Sequence, residues 1–347
     1  MPFKFVRQLP TVDEVRESFP LSSGLMVQKQ KRDEQLARII SGDDGRLLVI
    51  IGPCSADNED AVMEYVTRLS VMQEKLEQAL FIVPRVYVAK QRTAGVGYQG
   101  LLYQADSAAE ANVVQGIYQA RKLYLRVLQE TGLTAASELI SGISADYFSD
   151  LLSYYAIGAR SSEDQTYRQI ASGIDAPVGI KNPMSGDIRV LLNSIYAAQQ
   201  PHRFAYDRME VETTGNTYAH AILRGFAGAN WHDDVQSMYP NYHYEDLVMV
   251  IEKYKAMGLK NPMIVIDASH GNSGKLFYEQ PRIIREILAD RKRNSQIHEF
   301  VRGVMVESYL EEGACCVGEN VLGKSITDPC LGWDDTEKLL LYMAENV

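Results

Sequence analysis

The sequence has little cysteine, no long apolar segment and no excess of positive charge. Four cysteines among 347 residues, with no Cys-x-x-Cys pair, make no disulfide framework, so we expect a reduced, cytoplasmic setting. No apolar run approaches the roughly 20 residues that span a bilayer. Met1–Pro10 interrupts its apolar residues with Lys4 and Arg7, unlike a secretory signal. A net charge of −10 argues against general nucleic-acid binding, which needs a basic surface.

Eight short apolar runs, each followed by a helical segment, organise the rest of the chain. The runs are apolar throughout rather than alternating, which is typical of parallel strands covered on both faces. The predicted strands are Leu47–Ile51, Phe81–Val88, Thr134–Glu138, Ala156–Arg160, Val178–Lys181, Ala219–Arg224, Met263–Asp267 and Gly303–Glu307. The predicted helices are Asn58–Ala79, Ala108–Glu130, Ser144–Tyr154, Glu163–Ala171, Asp187–Ala198, Tyr244–Met257, Phe277–Arg291 and Asp334–Glu345. This alternation predicts an α/β protein of the (β/α)8, or TIM barrel, class, with an open doubly wound sheet as the alternative.

Two parts of the chain do not fit this repeat. Residues 1–46 precede the first predicted strand and contain one predicted helix, Gln28–Ile40, so we interpret them as an N-terminal extension. Residues 202–217 alternate apolar and polar side chains, which predicts an inserted β-hairpin. We therefore expect one catalytic barrel domain over residues 47–347, with a small insertion inside it.

A polar or metal-capable residue stands at the carboxyl end of every predicted strand. Active sites of (β/α)8 barrels lie at this end, so these side chains are expected to face one site. The residues are Cys54, Lys90, Glu138, Arg160, Lys181, Arg224, Asp267 with His270, and Glu307. Some polar residues are expected at these positions, because a buried strand ends where the sequence becomes polar again. That explanation does not account for a charged or metal-capable residue at all eight ends.

One group of these residues is cationic. Its members, with two neighbours, are Arg85, Lys90, Arg92, Arg160, Lys181 and Arg224. In an acidic protein such a cluster implies a strongly anionic small ligand, and phosphate and carboxylate fit best because arginine binds them with paired hydrogen bonds. The alternative, pairing of each cation with a surface carboxylate, explains one arginine better than it explains the set.

A second group is able to bind a metal. It comprises Cys54, His270, Glu307 and Asp328, the last of which follows the eighth strand. A thiolate, an imidazole and two carboxylates suit Mn²⁺, Fe²⁺, Co²⁺ or Zn²⁺ better than Mg²⁺. Cys54 alone is more often a small buried hydrophobic residue, so the shared rim position carries this hypothesis. Asp267 is placed to orient the His270 imidazole or to lie near substrate.

Two other motifs receive ordinary interpretations. The adjacent Cys315 and Cys316 are interpreted as plain thiols rather than as a redox switch. Gly271–Lys275 lacks the spacing of a Walker phosphate loop and is discarded as a nucleotide-binding motif.

Longer motifs, in order from about residue 25 to the C-terminus, carry a family resemblance. They are Ile51-Gly-Pro-Cys-Ser55, Pro84-Arg-Val-Tyr87, Gly158-Ala-Arg160, Pro177-Val-Gly-Ile-Lys-Asn182, Ala221-Ile-Leu-Arg-Gly225, Ile266-Asp-Ala-Ser-His270, Val306-Glu-Ser308 and Gly323-Lys-Ser-Ile-Thr-Asp328. Together they resemble class I 3-deoxy-D-arabino-heptulosonate 7-phosphate (DAHP) synthase of the microbial, aromatic-regulated type.

The resemblance implies a (β/α)8 enzyme that condenses phosphoenolpyruvate with D-erythrose 4-phosphate and water, the first step of the shikimate pathway to aromatic amino acids. It implies one divalent metal ion per chain (Mn, Fe, Co or Zn) on Cys54, His270, Glu307 and Asp328. It implies a phosphoenolpyruvate shell of Arg85, Lys90, Glu138, Arg160, Lys181 and Arg224, and an aldose-phosphate site with Arg92 and Thr93. Lys90 is expected to donate a proton and Glu138 to handle the water.

The resemblance also implies a homodimer or homotetramer and feedback by an aromatic amino acid. Such regulation is expected in the N-terminal extension and the 202–217 insertion.

The aldose-phosphate loop departs from the family pattern. It has Gln91 and Ala94 where the family has proline and a second threonine, so the loop loses a fixed φ and a hydroxyl. Because this loop selects the aldehyde, another aldose phosphate is an alternative substrate. A non-catalytic, ligand-sensing paralogue is the alternative from a different class, although a pure sensor has no need of four retained metal ligands.

Overall fold

The computed structural model describes residues 3–90, 97–107, 109–140, 142–228, 237–319 and 321–347. The strands in these ranges are β1 (Leu47–Gly52), β2 (Leu80–Pro84), β3 (Ala135–Glu138), β4 (Leu152–Ile157), β5 (Val178–Lys181), β6 (Arg203–Tyr206), β7 (Met209–Glu212), β8 (His220–Leu223), β9 (Phe226–Gly228), β10 (Ser237–Tyr239), β11 (Ile264–Asp267) and β12 (Val301–Glu307). The α-helices are α1 (Val12–Ser18), α2 (Ser23–Ser41), α3 (Glu59–Leu76), α4 (Val113–Thr131), α5 (Gly142–Phe148), α6 (Gln165–Gly173), α7 (Ile188–Ala198), α8 (Tyr244–Ala256), α9 (Gln280–Arg293), α10 (Ser295–Phe300) and α11 (Trp333–Asn346), and a 3₁₀ turn covers Phe277–Glu279.

Eight of these strands form one parallel sheet, in the order β2-β1-β12-β11-β8-β5-β4-β3. The two end strands meet through a parallel bridge between Arg85 and Ala136. There the Val86 N–H donates to the Ala136 carbonyl at 2.9 Å. This bridge closes the sheet on itself, so the predicted (β/α)8 barrel is confirmed and the open sheet is excluded.

The fourth strand differs from its prediction. It occupies Leu152–Ile157 rather than Ala156–Arg160, and the preceding helix ends at Phe148 rather than Tyr154. The reason is the pair Tyr154 and Tyr155, which are buried in the strand. Aromatic side chains pack well on a sheet, but tyrosine carries a polar hydroxyl group, so this strand lacks the continuous apolar run from which the other strands were predicted.

Helix α2 closes the amino end of the barrel. It begins where the Ser22 side chain accepts a hydrogen bond from the Leu25 N–H and ends at Gly42, whose φ of +90° is left-handed. Its buried apolar side chains, Leu36, Ile39 and Ile40, pack into the cluster of residues that fill the barrel interior. Arg302, at the start of β12, donates to the Ile39 carbonyl at 3.0 Å and fixes this end of the helix. The functional site is left with the opposite, carboxyl end.

The remaining pieces lie around this barrel. The predicted hairpin within 202–217 is confirmed as the antiparallel pair β6–β7. A second pair, β9–β10, follows β8 and was not predicted. Of the helices in the described ranges, none combines the length and the apolarity that a membrane crossing needs.

Candidate active site

A cavity at the carboxyl ends of the strands brings most of the predicted site residues together. It is lined by Arg85, Lys90, Glu138, Gly158, Ala159, Arg160, Lys181, Arg224 and His270. Glu138 and Lys181 are the last residues of their strands, β3 and β5, and parallel pairing places those ends at one rim. The predicted aldose-phosphate residues Arg92 and Thr93 lie outside the described residues, as do Gln91 and Ala94.

The predicted metal ligands meet beside this cavity. Cys54 Sγ, a Glu307 oxygen and an Asp328 oxygen lie within 4.8 Å of one another. The register of β1 against β12 explains part of this, because Gly52 is opposite Glu307 and Cys54 follows two residues later. Lys90 Nζ lies 2.6 Å from Cys54 Sγ and 3.0 Å from Asp328 Oδ2, so an ammonium group contacts two members of this group.

His270 adjoins this group without belonging to its tightest part. Its Nε2 lies 3.7 Å from Glu307 Oε1, and its Nδ1 lies 3.0 Å from Asp267 Oδ2. Nδ1 also lies 2.7 Å from the Ser269 hydroxyl oxygen, so a proton on Nδ1 has the Ser269 oxygen and the Asp267 carboxylate beside it. That tautomer leaves the Nε2 lone pair turned toward the carboxylate cluster, as a metal-binding histidine requires. The residue has a φ of +54°, which few residues other than glycine adopt and which marks a constrained position.

The buried Glu307 carboxylate supports a cation at this place. Its side chain is 2% exposed, and Oε1 has no hydrogen-bond donor among the described residues. Arg85 Nη2 lies 3.1 Å away as an ion-pair partner, but not in hydrogen-bond geometry. The Arg85 charge offsets part of the cost of burying this oxygen, but its lone pairs accept no hydrogen bond from the described residues and have room for a further cation. With a thiol, a second carboxylate and an imidazole nearby, the donor set fits a divalent metal ion of the transition series.

The pKa shifts agree with this charge arrangement. Burial lowers the pKa of Lys90, but Cys54 and Asp328 outweigh burial and raise it, so the ammonium stays charged. Burial raises the pKa of Asp328, and the charges of Lys90 and His270 reverse this and hold it well below its usual range. Burial, followed by the Glu307 charge, raises the pKa of the Cys54 thiol. Metal binding would displace this thiol proton.

The opposite side of the cavity is built for an anion. Arg224 is 6% exposed, and no carboxylate of the described residues forms an ion pair with its guanidinium. The Arg224 Nη1 lies 3.6 Å from the Met184 sulfur. Burial lowers the pKa of the Arg224 guanidinium. Lys181 Nζ lies 3.0 Å from Asp267 Oδ2, which links the anion side to the histidine. A buried guanidinium without a counter-ion is a ready partner for phosphate or carboxylate.

One residue of this site was missed by the sequence reasoning. Lys275 Nζ lies 3.3 Å from Asp328 Oδ1, on the side away from Lys90. It belongs to the Gly271–Lys275 segment that was discarded as a nucleotide motif. A lysine five residues after His270, in the same loop, was the signal available.

Comparisons with known proteins agree over nearly the whole chain. Residues 25–341 match the DAHP synthetase I family. The Trp-sensitive phospho-2-dehydro-3-deoxyheptonate aldolases of Enterobacter agglomerans and Escherichia coli (strain K12) are 37% and 36% identical, each over 99% of this chain and 96% of theirs. A phospho-2-dehydro-3-deoxyheptonate aldolase structure from Francisella tularensis SCHU S4 superimposes with a TM-score of 0.91 at 32% identity, covering 99% of this chain and 98% of that one. The chain therefore belongs to the DAHP synthetase I family of enzymes.

Proposed function

We propose that the protein condenses phosphoenolpyruvate with D-erythrose 4-phosphate and water to give DAHP and inorganic phosphate, with one divalent metal ion per chain. The observation that carries this proposal is the buried guanidinium of Arg224, which forms no ion pair with a carboxylate of the described residues and lies in a cavity that adjoins the Cys54, Glu307 and Asp328 group. An anionic substrate and a metal-binding set thereby share one barrel rim. Family membership supports the same reaction.

Four residues would hold the metal ion: Cys54, His270, Glu307 and Asp328. The ion supplies Lewis-acid chemistry at the aldehyde oxygen when it is bound. Asp267 keeps the His270 Nε2 turned toward Glu307. Arg85, which donates to the Pro53 carbonyl at 2.7 Å, holds the Glu307 carboxylate from the other side.

The cations of the cavity bind and orient phosphoenolpyruvate. Arg160, Lys181 and Arg224 converge on it from three strand ends, which suits a molecule that carries both a phosphate and a carboxylate. Holding phosphoenolpyruvate next to the aldehyde means that the entropy of bringing the two reactants together is lost on binding and not in the reaction step. Orientation therefore supplies a large part of the rate acceleration.

The bond changes follow from this placement. C3 of phosphoenolpyruvate forms a bond to the aldehyde carbon, and Lys90 Nζ donates a proton to the aldehyde oxygen as it becomes a hydroxyl. Water adds to C2, with its proton passing to the Glu138 carboxylate. The C2–O bond to the phosphate then breaks, and the phosphate leaves with the electron pair and takes up the remaining proton of the C2 hydroxyl, so that C2 becomes the ketone carbon. The proton on Glu138 returns through solvent to Lys90, which restores both groups.

The test is turnover by the metal-loaded protein. With Mn²⁺, phosphoenolpyruvate and erythrose 4-phosphate, we expect loss of phosphoenolpyruvate absorbance with release of one phosphate per molecule consumed, and a chelator should abolish both. Metal binding without turnover would contradict the erythrose 4-phosphate assignment and favour another aldose phosphate. Absence of both metal and turnover would favour the binding-only paralogue.

We further propose an aromatic amino acid effector in a second cavity, of about 580 Å³. This cavity lies between α1, α2 and the β6–β7 hairpin, and its lining includes Arg16, Lys29, Asp33, Phe204 and Tyr155. The lining offers cations for a carboxylate, an aspartate for an ammonium and an aromatic face for a ring. The buried Tyr155 hydroxyl has no hydrogen-bond partner among the described residues. Relatives named Trp-sensitive support this regulation.

Replacement of Phe204 by alanine is expected to weaken inhibition by the effective aromatic amino acid about tenfold, because a ring–ring contact of about 1.4 kcal/mol is lost. The measurement is the half-inhibitory concentration of Trp, Phe and Tyr, with kcat unchanged. Met209→Ala, on an exposed side chain of the same hairpin, is the matched control. Equal inhibition of wild type and Phe204→Ala would contradict the placement.

A further inference from the structure

Three buried asparagines lie directly behind the anion side of the cavity. Asn182 follows Lys181 at the end of β5, Asn241 lies between β10 and α8, and Asn272 lies in the loop after β11. Their exposed fractions are 0%, 5% and 5%. They take no part in the bond changes above, and buried amides of this kind need a full set of partners.

Asn182 and Asn241 form hydrogen bonds with the backbone groups of Arg224 and Gly225. Asn182 Oδ1 accepts from the Arg224 N–H at 2.9 Å, and its Nδ2 donates to the Gly225 carbonyl at 2.9 Å. Asn241 Oδ1 accepts from the Gly225 N–H at 2.7 Å, and its Nδ2 donates to Asn182 Oδ1 at 3.1 Å. The two amides therefore hold this turn and each other.

Asn272 completes the set from the loop after β11. Its Nδ2 donates to the Leu223 carbonyl at 3.1 Å and to the Asp267 carbonyl at 2.8 Å. Its own N–H donates to the Arg224 carbonyl at 3.2 Å. Every polar backbone group from the Leu223 carbonyl to the Gly225 carbonyl is thus bound by one of the three asparagines. Asn272 also joins the Arg224 turn to Asp267.

Two glycines let these loops pack backbone against backbone. Gly225 has a φ of +70°, and a Cβ there would lie 2.4 Å from the Gly271 carbonyl carbon. A Cβ on Gly271 would lie 2.8 Å from the Phe226 nitrogen. Side chains at either position are excluded by space, so the spacing of the two loops is fixed as well as their hydrogen bonds.

The backbone of Arg224 is held firmly, whereas its side chain has few contacts. The Arg224 backbone is fully bonded, whereas its guanidinium touches only a thioether among the described hydrogen-bond partners. We propose that Asn182, Asn241 and Asn272 are positioning residues that hold Arg224, together with the adjoining Lys181 and Asp267, for the substrate anion. This inference rests on the proposed function, since phosphoenolpyruvate is that anion. Prior fixing of a binding group lowers the entropy lost on binding.

The test is a double-mutant cycle on equilibrium binding of phosphoenolpyruvate, measured by calorimetry on the full-length, Mn²⁺-loaded protein. Asn241→Ala is expected to weaken binding about tenfold, since it misplaces Arg224 without removing it. In the Arg224→Ala background the same change should cost less than about twofold, because no guanidinium remains to be positioned. In turnover, the KM for phosphoenolpyruvate should rise while that for erythrose 4-phosphate stays within about twofold.

A control variant at a second buried asparagine distinguishes loss of Arg224 positioning from a general loss of stability. Asn216 is buried at the amino side of the barrel, where its Nδ2 donates to the Ala171, Ile174 and Ala176 carbonyls. Asn216→Ala is expected to lower the thermal midpoint about as much as Asn241→Ala, with phosphoenolpyruvate binding unchanged. Asn241→Ser, whose hydroxyl still accepts a hydrogen bond, serves if the alanine variant does not fold.

The outcomes distinguish the two proposals. Equal binding by wild type and the Asn241 variants, or equal weakening in both Arg224 backgrounds, would overturn the positioning role while the proposed function stands. Failure of the wild-type protein to bind phosphoenolpyruvate would overturn both. Weakened binding in the Asn216→Ala control would show a stability effect and overturn the positioning role.

Discussion

Cys54→Ala is expected to lose the proposed metal ion and to lower kcat by about 10³-fold or more, since the proposed Lewis acid is lost together with its charge. The thiol is buried and lies within 4.8 Å of the Glu307 and Asp328 oxygens, so a methyl group in its place leaves a set of oxygen and nitrogen donors. Such a set holds transition metals less tightly than one that contains a thiolate. The measurements are metal content after dialysis and kcat at saturating Mn²⁺.

The matched control for this variant is Cys316→Ala, which removes an exposed thiol. It should keep one metal ion per chain and wild-type turnover, which separates loss of a ligand from general thiol chemistry. A Cys54→Ala protein that retains both its metal and its kcat would refute the proposed ligand set.

Lys90→Met is expected to lower kcat by about 10³-fold while the metal content is retained, because the proposed general acid is lost and the aliphatic part of the side chain is kept. Lys90 Nζ lies 3.0 Å from Asp328 and 2.6 Å from the Cys54 sulfur, so its proton is held at the metal-binding side of the cavity. The measurements are kcat, the KM of each substrate and the metal content of the same preparation.

Lys275→Met provides the comparison, since both lysines contact the same carboxylate. The Lys275 side chain is 47% exposed, against 12% for Lys90, and solvent screens its charge. We expect its loss to lower kcat less than about tenfold. Similar losses in the two variants would argue that Lys90 acts through the charge of Asp328 alone and donates no proton.

The apolar runs of the sequence predicted alternating strands and helices, because a parallel strand buried on both faces is apolar throughout. They did not distinguish a closed barrel from an open sheet, since closure depends on the contact between the first and last strands of the sheet. The run Val178–Lys181 was predicted with its observed bounds, and the strand ends led directly to Glu138 and Lys181. The fourth strand was misplaced where Tyr154 and Tyr155 replace aliphatic residues. The predicted ligand roles of the rim residues stay predictions, although the structure brings their side chains together.

The features that were missed depend on tertiary contacts rather than on local sequence. The β9–β10 hairpin is only three residues long on each side, too short for an alternation pattern to register. Asn241 lies between that hairpin and α8, and nothing in its neighbours indicates that its amide reaches Asn182. Lys275 shows its role only through the distance to Asp328, which lies 53 residues further along the chain.

The pairing of β1 with β12 has a consequence for synthesis of the protein. Leu48 lies opposite Gly303, so the first strand of the barrel lacks one of its two neighbours until β12, Val301–Glu307, has been synthesised. Contacts of such large sequence separation are slow to form, and an apolar strand with an open edge is prone to associate with other chains in the meantime. Cys54 and Glu307 follow these same two strands. The proposed metal-binding group is therefore among the last parts of the molecule to assemble, and a nascent chain cannot acquire it early.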